Sequence, residues 1–183
     1  MAMREARKYI TALHKKQADP INWPDFLTGL PDHAAVVRKM NEVYDKLGRY
    51  CVVYFRIENI EPYLAKYGTD RHMEIIEWAA AILKTTMDKY NGFVGTIGTH
   101  EFLAICRTSC SDDFTEEAGA MFRDRVKEFY MPSDLEDGLV LSFSTDGGEH
   151  VSLGLMDLKH CIADHNCNVK KDKFLPCMKD FCC

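Results

Sequence analysis

Gly98-Thr99-His100-Glu101 sets a glycine, a hydroxyl, an imidazole and a carboxylate side by side between two apolar runs. Glycine lets a backbone approach a ligand closely and a neighbouring carboxylate can hold a cation, so a tip of this composition suits a polar site. A second concentration of reactive side chains lies late in the chain. There His160, Cys161, His165, Cys167, Cys177, Cys182 and Cys183 supply soft donors of the kind that hold zinc. Their spacing is not that of two CxxC pairs, and three readings stay open. These are a structural zinc on His160, Cys161, His165 and Cys167, thiol redox or inter-chain chemistry, and an inert solvated tail. The short charge run Lys170-Lys171-Asp172-Lys173 favours the last. No Gly-x-Ser-x-Gly, phosphate-cradling P-loop or His-Glu-x-x-His pattern occurs.

The elements around the tip follow from apolar periodicity. Phe93, Val94, Thr96 and Ile97, then Phe102, Leu103, Ala104 and Ile105, are two strand-favouring runs that predict a β-hairpin with residues 98–101 at its turn. Tyr50 to Ile57 is continuously apolar and reads as a strand buried in a sheet. Helices are expected over 33–47, with Gly48 as its stop, over a longer stretch capped by Asp70 and running to about Tyr90, and after Asp112 or Asp113 up to Pro132. Leu139 to Phe143 and Val151 to Met156 read as strands around Asp146-Gly147-Gly148. Residues 3–17 carry a narrow apolar stripe that predicts an N-terminal helix ended by Pro20 and Pro24. The order predicts an α+β fold, a mostly antiparallel central sheet flanked by helices. The expected organisation is an N-terminal helix over 1–19, a domain over 20–158 and a Cys-rich tail over 159–183.

A hydrophobic content of 46% is enough for one domain with a real core. A formal net charge of -5 disfavours an electrostatic grip on nucleic acid. No run approaches the roughly 20 apolar residues that cross a bilayer, so no membrane insertion is expected. The start lacks an apolar signal core, which with the free-thiol reading of the cysteines points to the cytoplasm.

Asp25-Phe-Leu-Thr-Gly-Leu-Pro-Asp-His33 resembles Asp-x-Leu-Thr-Gly-Leu-Pro-Asn-Arg, the opening motif of the GGDEF family, the diguanylate cyclases. Three more landmarks follow in the family's order. Val53-Tyr-Phe-Arg-Ile-Glu-Asn-Ile60 occupies the place of its first strand, Tyr67-Gly-Thr-Asp70 resembles its Tyr-Gly-His-Asp turn, and Gly98-Thr-His-Glu-Phe102 resembles its signature turn. Val151-Ser-Leu-Gly-Leu155 is similar to its Val-Ser-Ile-Gly-Val strand. The resemblance spans about residues 25 to 156 and implies a nucleotidyl-cyclase-palm-like fold. It also implies a bacterial signalling role in which two GTP molecules, one per subunit, are joined into cyclic di-GMP with magnesium held by two acids.

The departures decide the expectation. The resemblance puts Arg56 in the place of the first-strand acid and His100 in the place of the turn acid, with Ile57, Glu58, Gly98, Thr99 and Glu101 completing a vestigial nucleotide site. Arginine has no lone pair for magnesium and imidazole suits softer metals, so no metal is expected there. Arg56 is expected to pair with Glu58 or Glu101. The guanine-reading places fall at Leu64 and Met73, and the product-inhibition Arg-x-x-Asp places fall at Lys89 and Gly92. The basic segment Ala-Leu-Tyr-x-Ala-Lys-x-x-Gly-Arg-Asn is not recognisable after Met156. The reading is a catalytically inactive domain that binds a protein partner or a second copy, with GTP or another nucleotide as residual ligand. Its alternative is an active nucleotide-binding enzyme or cyclase with an altered metal site that uses His100 and Glu101. No cofactor is expected beyond zinc in the tail.

Overall fold

The structure is a computed structural model and describes residues 24–145, 148–164 and 169–181. The expected N-terminal helix, two residues of the 146–148 turn, and His165, Cys167, Cys182 and Cys183 lie outside the described residues.

Strand β1, Tyr50–Glu58, is the axis of the fold. It pairs antiparallel with β3, Glu101–Arg107, on one side and with β6, Asp157–Ala163, on the other, while β2, Phe93–Thr96, pairs with β3 at the edge. The sheet order is β2-β3-β1-β6. Burial on both faces explains the unbroken apolar run of β1, because successive side chains alternate between faces. Cys51, Val53, Phe55 and Ile57 join Phe102, Ala104 and Cys106 on one face; Val52 and Tyr54 join Leu103 and Ile105 on the other. Cys51 and Cys106 are register partners with Sγ atoms 3.6 Å apart, small core side chains at the sheet centre.

Helix α1, His33–Val43, begins where the Asp32 carboxylate accepts the Ala35 N–H at 2.9 Å and lays Val36, Met40 and Val43 on the second face. Helix α2, Ile60–Tyr67, is short and ends at Gly68. Helix α3, His72–Asp88, covers the first face together with α4, Ser111–Val126, whose Phe114 meets Phe55 edge-on at 5.5 Å. Neither Asp70 nor Asp112 supplies the expected side-chain cap; α3 starts after Arg71, and Asp112 and Asp113 lie inside the first turn of α4. Pro132 does not end a helix but opens α5, Pro132–Asp137, at a position where its missing N–H costs nothing. A separate hairpin, β4 (Leu139–Ser144) and β5 (His150–Gly154), follows. Lys66 of α2 ties this end together by donating to Asp134 at 2.7 Å and to the Val140 carbonyl at 3.0 Å.

The segment expected to be a tail from residue 159 begins inside β6. Its described remainder includes α6, Phe174–Phe181, which buries Phe174 and Met178 against Val52 and Tyr54. His160 and Cys161 are thus strand residues on opposite faces. His160 packs on Phe55 at 5.9 Å, whereas Cys161 turns to α6 and donates to the Met178 carbonyl at 3.4 Å. Adjacent strand positions project to opposite faces, so the His160 and Cys161 side chains diverge; the other two expected zinc ligands, His165 and Cys167, lie outside the described residues.

Candidate functional site

The hairpin turn is locked before any ligand arrives. The Ile57 N–H at the end of β1 donates to the His100 carbonyl at 3.0 Å, and the Ile97 N–H donates to the Glu101 carbonyl at 3.0 Å. Thr96 Oγ1 closes the turn from within by donating to the Gly98 carbonyl at 3.0 Å. A Cβ at position 98 would lie 2.4 Å from Glu101 Oε2, so a larger residue there would displace the Glu101 carboxylate from its present position. The carboxylate folds back over the turn through that gap.

Upstream, Asp25 builds the loop that faces the turn. Its Oδ1 accepts from the Thr28 N–H at 2.8 Å, the Thr28 hydroxyl at 2.8 Å and the Leu27 N–H at 3.2 Å, while Gly29 turns with φ of 66°. The Asp-Phe-Leu-Thr-Gly motif is therefore a loop-forming device whose carboxylate is used internally. The loop docks onto β2 through Thr96 N–H to the Pro31 carbonyl at 2.9 Å. Between loop and turn lies an open cleft of about 470 Å³ lined by Thr28, Asp32, His33, Ile76, Gly98 and Thr99 among others.

Arg56 and Glu101 are register partners on one sheet face. Each acid of the site carries a lysine. Lys159 of β6 donates to Glu58 at 3.0 Å, and Lys179 of α6 donates to Glu101 Oε2 at 2.5 Å while Tyr54 O–H donates to its Oε1 at 2.6 Å. Burial alone would raise the Glu101 carboxyl, but the hydrogen bonds from Lys179 and Tyr54, with the charges of Lys179 and Arg56, outweigh it and hold the group below the usual glutamate range. Lysine pairing with both acids is what sequence reasoning did not foresee. Lys179 could have been found only by recognising that 174–181 is helical.

His100 shows a second partner that sequence did not disclose. Its Nε2 lies 2.7 Å from Nε2 of His72, the first residue of α3, with the rings tilted by 59°. Glu61 Oε1 stands 4.0 Å from Nδ1 on the far side of the ring. Burial first, then His72 and Arg56, push the His100 imidazole below its ordinary value against the opposing pull of Glu61 and Glu101, which keeps it neutral near pH 7. His33 meets the hairpin separately, its Nδ1 lying 3.4 Å from the Ile97 carbonyl. No local pattern marks the His72–His100 pair, since 28 positions separate a helix start from a hairpin tip.

The residues present do not fit a magnesium ion. Magnesium takes hard oxygen ligands, whereas the turn offers an imidazole, a guanidinium and one carboxylate already bonded to a lysine and a tyrosine. Met73, one of the two places the resemblance gives for base reading, is largely exposed, and Leu64, the other, is packed against the core. Among the described residues no group of three or more His, Cys, Asp or Glu side chains is placed to hold an ion. No helix is long and apolar enough to cross a membrane among the described residues.

No protein-family model matches the sequence, and no curated protein matches it. Solved structures do match. The chain is similar to the coiled-coil and GGDEF region of DgcB from Caulobacter crescentus, solved with c-di-GMP, at a TM-score of 0.62 and 12% identity over 98% of this chain and 87% of that one. It is similar to the diguanylate cyclase SiaD from Pseudomonas aeruginosa, solved with its activator SiaC, at a TM-score of 0.59 and 14% identity over 98% of this chain and 64% of that one. A diguanylate cyclase/phosphodiesterase from Caldicellulosiruptor saccharolyticus gives a TM-score of 0.56 and 19% identity over 91% of both chains. Identities this low speak to fold alone. On its sheet order, its landmark loop and turn, and these matches, the chain has the fold of the GGDEF domains, as the sequence motifs imply.

Proposed function

We propose that this chain is a catalytically inactive GGDEF-like domain that serves bacterial cyclic di-GMP signalling in the cytoplasm as a binding or dimerisation module. The observation that carries the reading is the state of the turn. Its one carboxylate, Glu101, is bonded to Lys179 and Tyr54, and Arg56 sits opposite it on β1. Positive charge thus surrounds the spot where a triphosphate and its magnesium would need acids. The loop, turn and sheet that present the site are retained, which suits a scaffold kept for what it binds. A partner protein is one such ligand, as the complex of SiaD with SiaC illustrates for that cyclase. Incubating purified protein with GTP and magnesium or manganese and assaying for cyclic di-GMP tests the reading; the expected result is no product, and robust synthesis would contradict it.

The cleft between the Asp25 loop and the turn favours a second reading, a nucleotide-binding enzyme or a cyclase with an altered metal site built on His100 and Glu101. Calorimetry with ATP, GTP and cyclic di-GMP, each with and without zinc, separates the two. Binding of none of them removes this alternative and leaves the protein-binding role.

A further inference from the structure

The geometry points to a binding site for a divalent cation of the zinc, nickel or copper class between the imidazoles of His72 and His100. Their Nε2 atoms face each other at 2.7 Å, a separation at which one proton lies between two ring nitrogens. A borderline-soft ion can take the place of that proton. Tetrahedral coordination at about 2.05 Å from each nitrogen holds two imidazoles about 3.3 Å apart. The rings therefore need to part by only about 0.6 Å, which a small side-chain rotation supplies.

The neighbours set the tautomers. Glu61 Oε1 lies 4.0 Å from His100 Nδ1, beyond hydrogen-bond reach, and its negative charge favours the tautomer with the proton on Nδ1, which leaves Nε2 as the lone-pair donor. His72 then carries the proton on Nε2. On metal binding the proton moves to its Nδ1, so both rings stay neutral and no net charge is displaced. Both ligands sit on fixed backbone, His72 at the start of a 17-residue helix and His100 in a turn whose carbonyl is held by the Ile57 N–H. With no third protein ligand placed among the described residues, water or an anionic ligand fills the remaining positions.

Imidazole nitrogens select such ions over magnesium. This departs from the expectation of a turn without metal, and the reason is His72, whose position only the fold discloses. The inference does not rest on the signalling role, because the same donors are present whether or not the domain binds a partner or nucleotide.

The test is nitrogen NMR of the full chain carrying 15N-labelled histidine rings, titrated with zinc to saturation without nucleotide. The ring signals of His72 and His100 should move together and return on chelation, and magnesium should leave them in place. Either His72→Gln or His100→Gln should weaken binding at this site at least about tenfold, and Glu61→Gln by less than either, with thermal unfolding confirming that each variant is folded. Rings that stay unmoved at saturation, with zinc taken up by cysteine thiols or not at all, overturn the proposal, as would an equal response to magnesium.

Discussion

His100 and Glu101 are neighbours with opposite electrostatic fates, and their pH dependence separates them. An imidazole whose pKa is lowered on folding binds its proton less readily in the folded chain, so its contribution to stability is whole above about pH 6.5 and is lost as pH falls through the lowered value. His160, exposed but packed against the Phe55 ring, is lowered chiefly by partial desolvation and contributes with the same sign. Denaturant unfolding between pH 7 and 5 should therefore show falling stability on acidification, with a shallower slope in His100→Gln; identical slopes would contradict this. Glu101 acts lower down. Its lowered carboxyl adds stability that is present above about pH 4.3 and lost on further acidification. Lys179→Met should cost about 1 kcal/mol at pH 7, near the bottom of the range for a charged hydrogen bond because Lys179 is about a third exposed. The difference from wild type should shrink by pH 3, as read from urea midpoints.

At the scale of elements, what was legible in the sequence was what declares itself locally. The β1 run, the hairpin, α1 and the apolar face of α3 follow from periodicity and strong glycine or proline punctuation. What was missed lacks such marks. Strand β6 reads Asp-Leu-Lys-His-Cys-Ile-Ala, an edge strand with only Leu158 and Ala163 buried, so its alternation is masked by polar residues. Helix α6 carries Pro176, which reads as a breaker in sequence but falls in the first turn, where no intrahelical N–H bond is lost. Both elements bear on the site, since Lys159 and Lys179 come from them. The fit between α1 and β2 gives a further prediction. A Cβ on Gly95 would meet Val36 Cγ2 at 2.4 Å and the Pro31 carbonyl at 2.8 Å. Gly95→Ala should destabilise by about 1–3 kcal/mol through overpacking, measured by denaturant titration, and would loosen the loop that faces the turn. An unchanged midpoint would contradict that packing.

Over the whole molecule, the GGDEF fold runs from the Asp25 loop through the hairpin, and the proposed inactivity rests on the Arg56, Lys179 and Tyr54 side chains grouped around Glu101. The parts that survive are those with a structural task. Asp25 closes its loop, Gly98 makes room for Glu101, and the β1 core is apolar on both faces. A crystal soaked in GTP and magnesium tests this most directly. The account predicts no magnesium between residue 56 and the turn, with Glu101 still bonded to Lys179; a magnesium ion seated there beside bound triphosphate, with the Arg56 side chain displaced, would contradict it.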